Sequence, residues 1–171
     1  MHEGAFQDLK AALLCEPVLQ SPDFERQFTV QTDASGVGLG AVLLQGEAEE
    51  QKPVAYISRK RFPREIRYSV VELECLAVKW ALETLKYYLM GRDFLLESDH
   101  KALQWLGKMK DSNARITRWY LSLQPFQFQI RYRAGKQNPV ADFLSRHPSD
   151  EPSEGGGNVK SEGRIFPDAT I

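Results

Sequence analysis

Cysteine is nearly missing: Cys15 and Cys75 are the two in 171 residues, and they stand far apart. No CxxC occurs and no Cys/His spacing suits zinc, which excludes a disulfide framework and a structural zinc site and fits a reducing compartment. An excess of charge is missing too. Lys and Arg number 22 against 23 Asp and Glu, a net charge of −1, so bulk charge steers no partner and any nucleic-acid site must be a local basic patch. No apolar run approaches the roughly 20 residues of a membrane-spanning helix. The N-terminus lacks the apolar core of a signal peptide, and no internal repeat is visible.

What is present suits one domain with tails, with 42% apolar residues to build a core. Ala5 to Leu14 has helical spacing, with Phe6, Leu9, Ala12 and Leu13 on one side, and Pro17 ends it. The run Phe28-Thr29-Val30, closed by Thr32-Asp33-Ala34-Ser35, predicts a strand over 28–32 with Asp33 at its exit. Gly36, Gly38 and Gly40 have a phosphate-loop look, but such a loop needs a helix N-terminus next. Ala41 to Gln45 is β-compatible instead, so the glycines predict a hairpin with close backbone packing. A third strand over 53–58 completes an antiparallel meander.

Ser69 and Glu72 have capping-box spacing and open a helix predicted over 69–90. Val70, Leu73, Ala77, Ala81, Leu85 and Tyr88 share its apolar face. Lys79, Glu83 and Lys86 lie opposite, and Glu72 falls with them as a cap and solvated residue. Glu74 lies inside the apolar arc, where a carboxylate needs a buried partner or a metal. A strand over 93–98 ends at Asp99. A short helix over 101–106 has Trp105 as its buried anchor, and a helix over 113–123 carries Arg115, Arg118 and Trp119. After Pro125 the strict alternation over 126–132 predicts a half-buried strand, and a last helix over 138–146 holds Asp142 near its start.

The order β-β-β-α-β-α-α-β-α, with a helical crossover between the third and fourth strands, predicts an α/β fold: a mixed five-stranded sheet with helices on both faces. Asp33, Glu74, Asp99 and Asp142 are then candidates to converge. An acid cluster repels itself unless cations are present. Oxygen-only donors select magnesium or manganese, and two such ions about 4 Å apart support phosphodiester hydrolysis. His100, next to Asp99, is as well read as a capping or surface residue as a catalytic one. Arg59, Lys60, Arg61, Arg64 and Arg67 stand against a single Glu65, and the run reads either as a solvated loop or as a phosphate-backbone contact. Lys101, Lys108, Lys110, Arg115 and Arg118 are further candidates for such contacts.

Four stretches together resemble a known family: Phe28 to Ser35 with Gly38 to Leu43; Tyr68-Ser69 through Glu72-Leu73-Glu74-Cys75-Leu76-Ala77; Ser98-Asp99-His100-Lys101-Ala102-Leu103; and Gly135 to Asn138 through Ala141-Asp142-Phe143-Leu144-Ser145-Arg146. The chain resembles the RNase H domain of reverse transcriptases from gypsy-type LTR retrotransposons. The resemblance implies an RNase H-like fold over 24–147 and a segment joining it to an upstream polymerase domain over 1–23; the composition of Pro148 to Gly163, rich in Ser, Glu, Gly and Pro, predicts a disordered tail over 148–171. It implies that Asp33, Glu74, Asp99 and Asp142 bind magnesium or manganese, two ions in all, and that the partner and substrate is an RNA–DNA hybrid whose RNA strand is cut. Retroviral and bacterial relatives carry a His in the loop before the last Asp. Between Tyr132 and Asp142 this chain has none, which bears on product release more than on chemistry. No Tyr-x-Asp-Asp occurs, so this chain does not polymerise DNA, and no integrase-type zinc pattern occurs. The rival reading is a catalytically inactive, domesticated module of the same fold that binds nucleic acid or a partner.

Overall fold

In the computed structural model, residues 19–47, 50–109, 113–134, 139–148 and 164–165 are described. The helix expected over 5–14, Lys110 and the side chain of Trp105 lie outside them. Three strands pair in the expected meander: β1 (Phe28–Ala34), β2 (Gly38–Gln45) and β3 (Lys52–Lys60) are antiparallel neighbours. β1 runs past its predicted end. Asp33 pairs with Gly40 and Ala34 with Leu39, because the turn that follows is tight. The Ser35 hydroxyl accepts the N–H groups of Val37 and Gly38, both at 3.2 Å, and the Ser35 N–H donates to the Gly38 carbonyl at 2.9 Å.

The capping box forms as read. Ser69 Oγ accepts the Glu72 N–H at 3.2 Å, and the Glu72 carboxylate accepts the Ser69 N–H at 2.8 Å. Helix α1 (Val70–Thr84) follows, then leaves helical geometry at Leu85 (φ −95°, ψ 13°) before the single turn α2 (Lys86–Leu89), so the helix predicted unbroken to 90 is two. The chain goes on through β4 (Asp93–Ser98), a 3₁₀ turn over Lys101–Trp105, α3 (Leu106–Met109), α4 (Ala114–Ser122), β5 (Gln127–Tyr132) and α5 (Pro139–Arg146). With β6 (Arg164–Ile165) the sheet order is β5-β4-β1-β2-β3-β6, and β4 is parallel to both β1 and β5. The five expected strands make the sheet, and β6 is a two-residue addition at its edge: Arg164–Ile165, from the tail read as disordered, pair with Ile57 and Tyr56 of β3.

Each face of the sheet carries its own core. Phe28, Val30, Ala41, Leu43 and Ile57 pack with Val78, Ala81 and Leu82 of α1 and Ile116 of α4. On the other face Val42, Leu44 and Tyr56 meet Leu144, Val140 and Phe143 of α5. This second core is small. With about 1.5–3 kcal/mol per fully buried side chain of that size, α5 docks on few apolar contacts and gains from polar ties. Gly40 permits the docking: a Cβ there would stand 2.5 Å from the Ser145 nitrogen and 2.6 Å from the Ala141 carbonyl. Gly40 thus serves close packing of a helix on a strand, whereas a Cβ at Gly38 would meet the Arg59 carbonyl and Pro148 and one at Gly36 would meet nothing.

Candidate metal centre

Parallel pairing of β1 and β4 brings their carboxyl ends together. The register runs from Thr29 opposite Leu95 to Gln31 opposite Glu97, and carried on by two residues it sets Asp33 level with Asp99. Glu74, in the second turn of α1, reaches the same end, where the Ala34 N–H donates to its carboxylate. One carboxylate oxygen from each of Asp33, Glu74 and Asp99 lies within 4.8 Å of the other two. Asp33 and Glu74 are buried and Asp99 is half-buried.

Burial and the charges of neighbouring acids hold protons on Glu74 and Asp33. Glu74 is pushed from 4.5 up to about 8, first by burial and then by the charges of Asp33 and Asp99, against the Ala34 N–H. Asp33 is raised from 3.8 to about 6 by burial, opposed by the Ser145 hydroxyl and reinforced by the charges of Asp99 and Asp142. Glu74 Oε2 is buried without a hydrogen-bond partner among the described residues. An acceptor in that condition costs about 1–3 kcal/mol. A hard divalent cation answers all three observations: it takes oxygen donors, it satisfies the orphaned oxygen, and it offsets the repulsion.

Asp142, the fourth candidate, stands at the margin. It lies in the first turn of α5 and its charge is felt at Asp33, but it is not one of the three converging acids. Its carboxylate, 44% exposed, accepts Arg146 Nε one turn on at 2.9 Å. His100 precedes the 3₁₀ turn without a side-chain capping bond.

Glu72 departs from its reading as a solvated residue. It is 7% exposed, and besides Ser69 N–H its carboxylate accepts Asn113 Nδ2 at 2.8 Å and Arg115 at 2.9 Å. The N-terminus of α4 covers the helix face that a wheel of α1 alone leaves open. These donors, Ser69 foremost, hold the Glu72 carboxyl below its usual range.

The basic candidates divide. Arg59 turns inward as a bidentate partner of the buried Glu65, at 2.8 and 2.9 Å, with its guanidinium over the Phe62 ring. Arg61 spans the Gly36 and Glu65 carbonyls at 2.8 and 2.6 Å. Arg115 is engaged by Glu72 and lies over the Tyr68 ring at 4.2 Å. These three are engaged within the protein, by neighbouring acids and carbonyls, which gives each a structural role beside the proposed phosphate contact. Lys60 closes β3 half-buried. Arg64, stacked on Phe62, remains exposed, as do Arg67, Lys101, Lys108 and Arg118.

Sequence reasoning also passed over Ser145 as a site residue. Its hydroxyl donates to Asp33 Oδ2 at 2.5 Å. The available signal was its place three residues past Asp142, on the same side of a helix.

Comparison with known proteins agrees with this architecture. Residues 23–126 match the family described as the RNase H-like domain found in reverse transcriptase. The chain is 46% identical over 147 residues to the retrovirus-related Pol polyprotein from transposon 297 of Drosophila melanogaster, covering 86% of this chain and 14% of that polyprotein. It is 38% identical over 165 residues to the corresponding polyprotein from transposon gypsy of the same organism, covering 93% and 16%. It therefore spans only a small part of the length of these relatives. Among solved structures, prototype foamy virus protease-reverse transcriptase superposes with a TM-score of 0.62 at 17% identity, over 74% of this chain and 18% of that one. LC11-RNase H1, solved in complex with RNA/DNA hybrid, gives 0.53 at 13% identity, over 71% and 95%. At such identities these structures speak for the fold alone. The polyproteins speak for descent as well, and on that ground the chain belongs to the RNase H-like domains of reverse transcriptases, homologous to those in the Pol polyproteins of the 297, 412, gypsy and Tf2 elements.

Proposed function

We propose that this domain hydrolyses the RNA strand of RNA–DNA hybrids in a reaction that depends on magnesium or manganese, as one part of a retroelement polyprotein that also carries a polymerase domain. The observation that supports this most is the cluster of Asp33, Glu74 and Asp99, with a buried Glu74 oxygen that no described protein group satisfies. These three residues would hold the ions, two by family expectation, with Asp142 joining from α5. When bound, such ions supply a nucleophilic water at neutral pH and offset the charge that develops on the phosphate. The protein's share is to bring the carboxylates together on rigid strand and helix ends, and to hold the hybrid by its backbone. Arg64, Arg67, Lys101 and Arg118, all exposed, are the side chains proposed for that hold, with Lys108 near them in sequence.

A labelled hybrid incubated with the purified chain tests the reading. Cleavage is expected with magnesium or manganese, and binding with little cleavage in calcium. Undiminished cleavage in excess chelator would refute metal dependence. A hybrid bound but never cut, whatever the ion, would turn the domain into the inactive binding module. Equal cutting of duplex DNA would make it a different nuclease of this fold.

A further inference from the structure

Ser145 has no part in the reading above, yet it is tied directly to the acid cluster. It is 0% exposed and sits one turn past Asp142 on α5. Its Oγ lies 2.5 Å from Asp33 Oδ2 and 2.9 Å from the Asp142 carbonyl. A hydroxyl has one proton, and a carboxylate is the stronger acceptor, so the proton belongs to Asp33. The backbone of Ser145 is pinned as well. Its carbonyl accepts Ser35 Oγ at 2.6 Å, and its nitrogen lies 2.5 Å from where a Cβ at Gly40 would stand. One residue is thus bonded to β1 and to the turn after it and packed against β2, while its helix carries the fourth acid.

We propose that Ser145 is a positioning residue of the metal centre: its hydroxyl fixes the orientation of the Asp33 carboxylate among the three converging acids, and it ties α5, and with it Asp142, to that cluster. The inference rests on the metal-centre reading. Without the donor, Asp33 can rotate about its side-chain bonds, and α5 is held less firmly, by its small apolar core and the Ser35 bond. Loss of such an outer contact to a ligating carboxylate typically weakens metal affinity about 10- to 100-fold.

Manganese titration of the whole chain, followed by the disappearance of the free-ion electron paramagnetic resonance signal, tests it beside thermal melts in chelator. Three variants are needed. Ser145→Ala removes the hydroxyl, Ser145→Cys keeps the volume but gives up the strong donor, and Ser35→Ala loosens the α5 anchor without touching Asp33. Both Ser145 variants are expected to bind manganese at least about 10-fold more weakly. Ser145→Cys should melt within a few degrees of the unaltered chain, and Ser35→Ala, which leaves the Asp33 bond in place, should lose less affinity than either Ser145 variant. Extra manganese should return much of the cleavage to the Ser145 variants. Unaltered affinity in both Ser145 variants would overturn the proposal. So would a Ser145→Cys protein that binds like the unaltered chain while Ser145→Ala does not, since volume would then be the cause. An unaltered chain that takes up no manganese would instead bring down the metal-centre reading itself, a separate failure.

Discussion

Glu74→Gln asks whether the acid cluster costs stability until a cation arrives. Glu74 titrates near 4.5 in an unfolded chain and at about 8 in the folded one. Between those values the folded protein keeps a proton that the unfolded chain gives up, so more protons are bound in the native state and stability falls as pH rises. At about 1.4 kcal/mol per unit, the penalty grows from about 1 kcal/mol near pH 5.5 to about 4 kcal/mol near pH 8. Glutamine removes the titration. Its carbonyl oxygen can still accept the Ala34 N–H, and its amide can donate to Asp33 or Asp99. In chelator at pH 8 the variant should therefore melt higher than the unaltered chain, by roughly 10 °C at about 2–4 °C per kcal/mol, and the gap should narrow toward pH 5.5. Asp33, raised to about 6, adds a smaller penalty of the same sign. Magnesium or manganese should reverse the order, because a ligand stabilises only the state that binds it. Melts at two pH values, each with chelator and with ion, read all of this, and single-turnover cleavage should fall by orders of magnitude. A variant that melts lower than the unaltered chain in chelator at pH 8 would show that the Glu74 carboxylate has a structural partner. An equal rise of both proteins on adding magnesium would show that no ion binds through it.

Further outcomes follow from the other charged side chains. Glu72→Ala should cost about 2–3 kcal/mol in urea melts, since it strips acceptors from Ser69 N–H, Asn113 and Arg115. Glu72→Gln should cost about half as much, and both should cut hybrid at near-normal rates once folded; because the Glu72 carboxyl is held below its usual range, the difference is present above about pH 4.5 and fades below it. Replacing Arg67 and Arg118 together by alanine should weaken hybrid binding and flatten its salt dependence by about one unit of slope per lost phosphate contact, without lowering the melting temperature. Arg59→Ala should do the reverse, destabilising the fold through Glu65 and leaving the slope alone.

The candidate ligands were legible where a residue broke a local rule. Asp33 follows an apolar strand, Asp99 ends another, and Glu74 interrupts an apolar arc, and none of these has a local explanation. What lay beyond reach was contact between distant segments. The bond from Ser145 to Asp33 spans 112 positions and depends on where α5 crosses Gly40. A run of arginines does not say which guanidinium turns inward; one buried Glu65, with the Phe62 ring beside it, claims Arg59. The glutamates on α1 make the point most sharply. A wheel of one helix sorts Glu72 as solvated because it knows nothing of α4, and both Glu72 and Glu74 are in fact buried. Burial therefore does not separate the structural acid from the candidate ligand. Saturation does: Glu72 is filled by donors from Ser69, Asn113 and Arg115 and its proton is easily lost, whereas Glu74 keeps an oxygen with no donor among the described residues and holds its proton to about pH 8. An oxygen buried beside two other acids, with no donor among the described residues, is stabilised by a proton or by a cation, and the two compete for it.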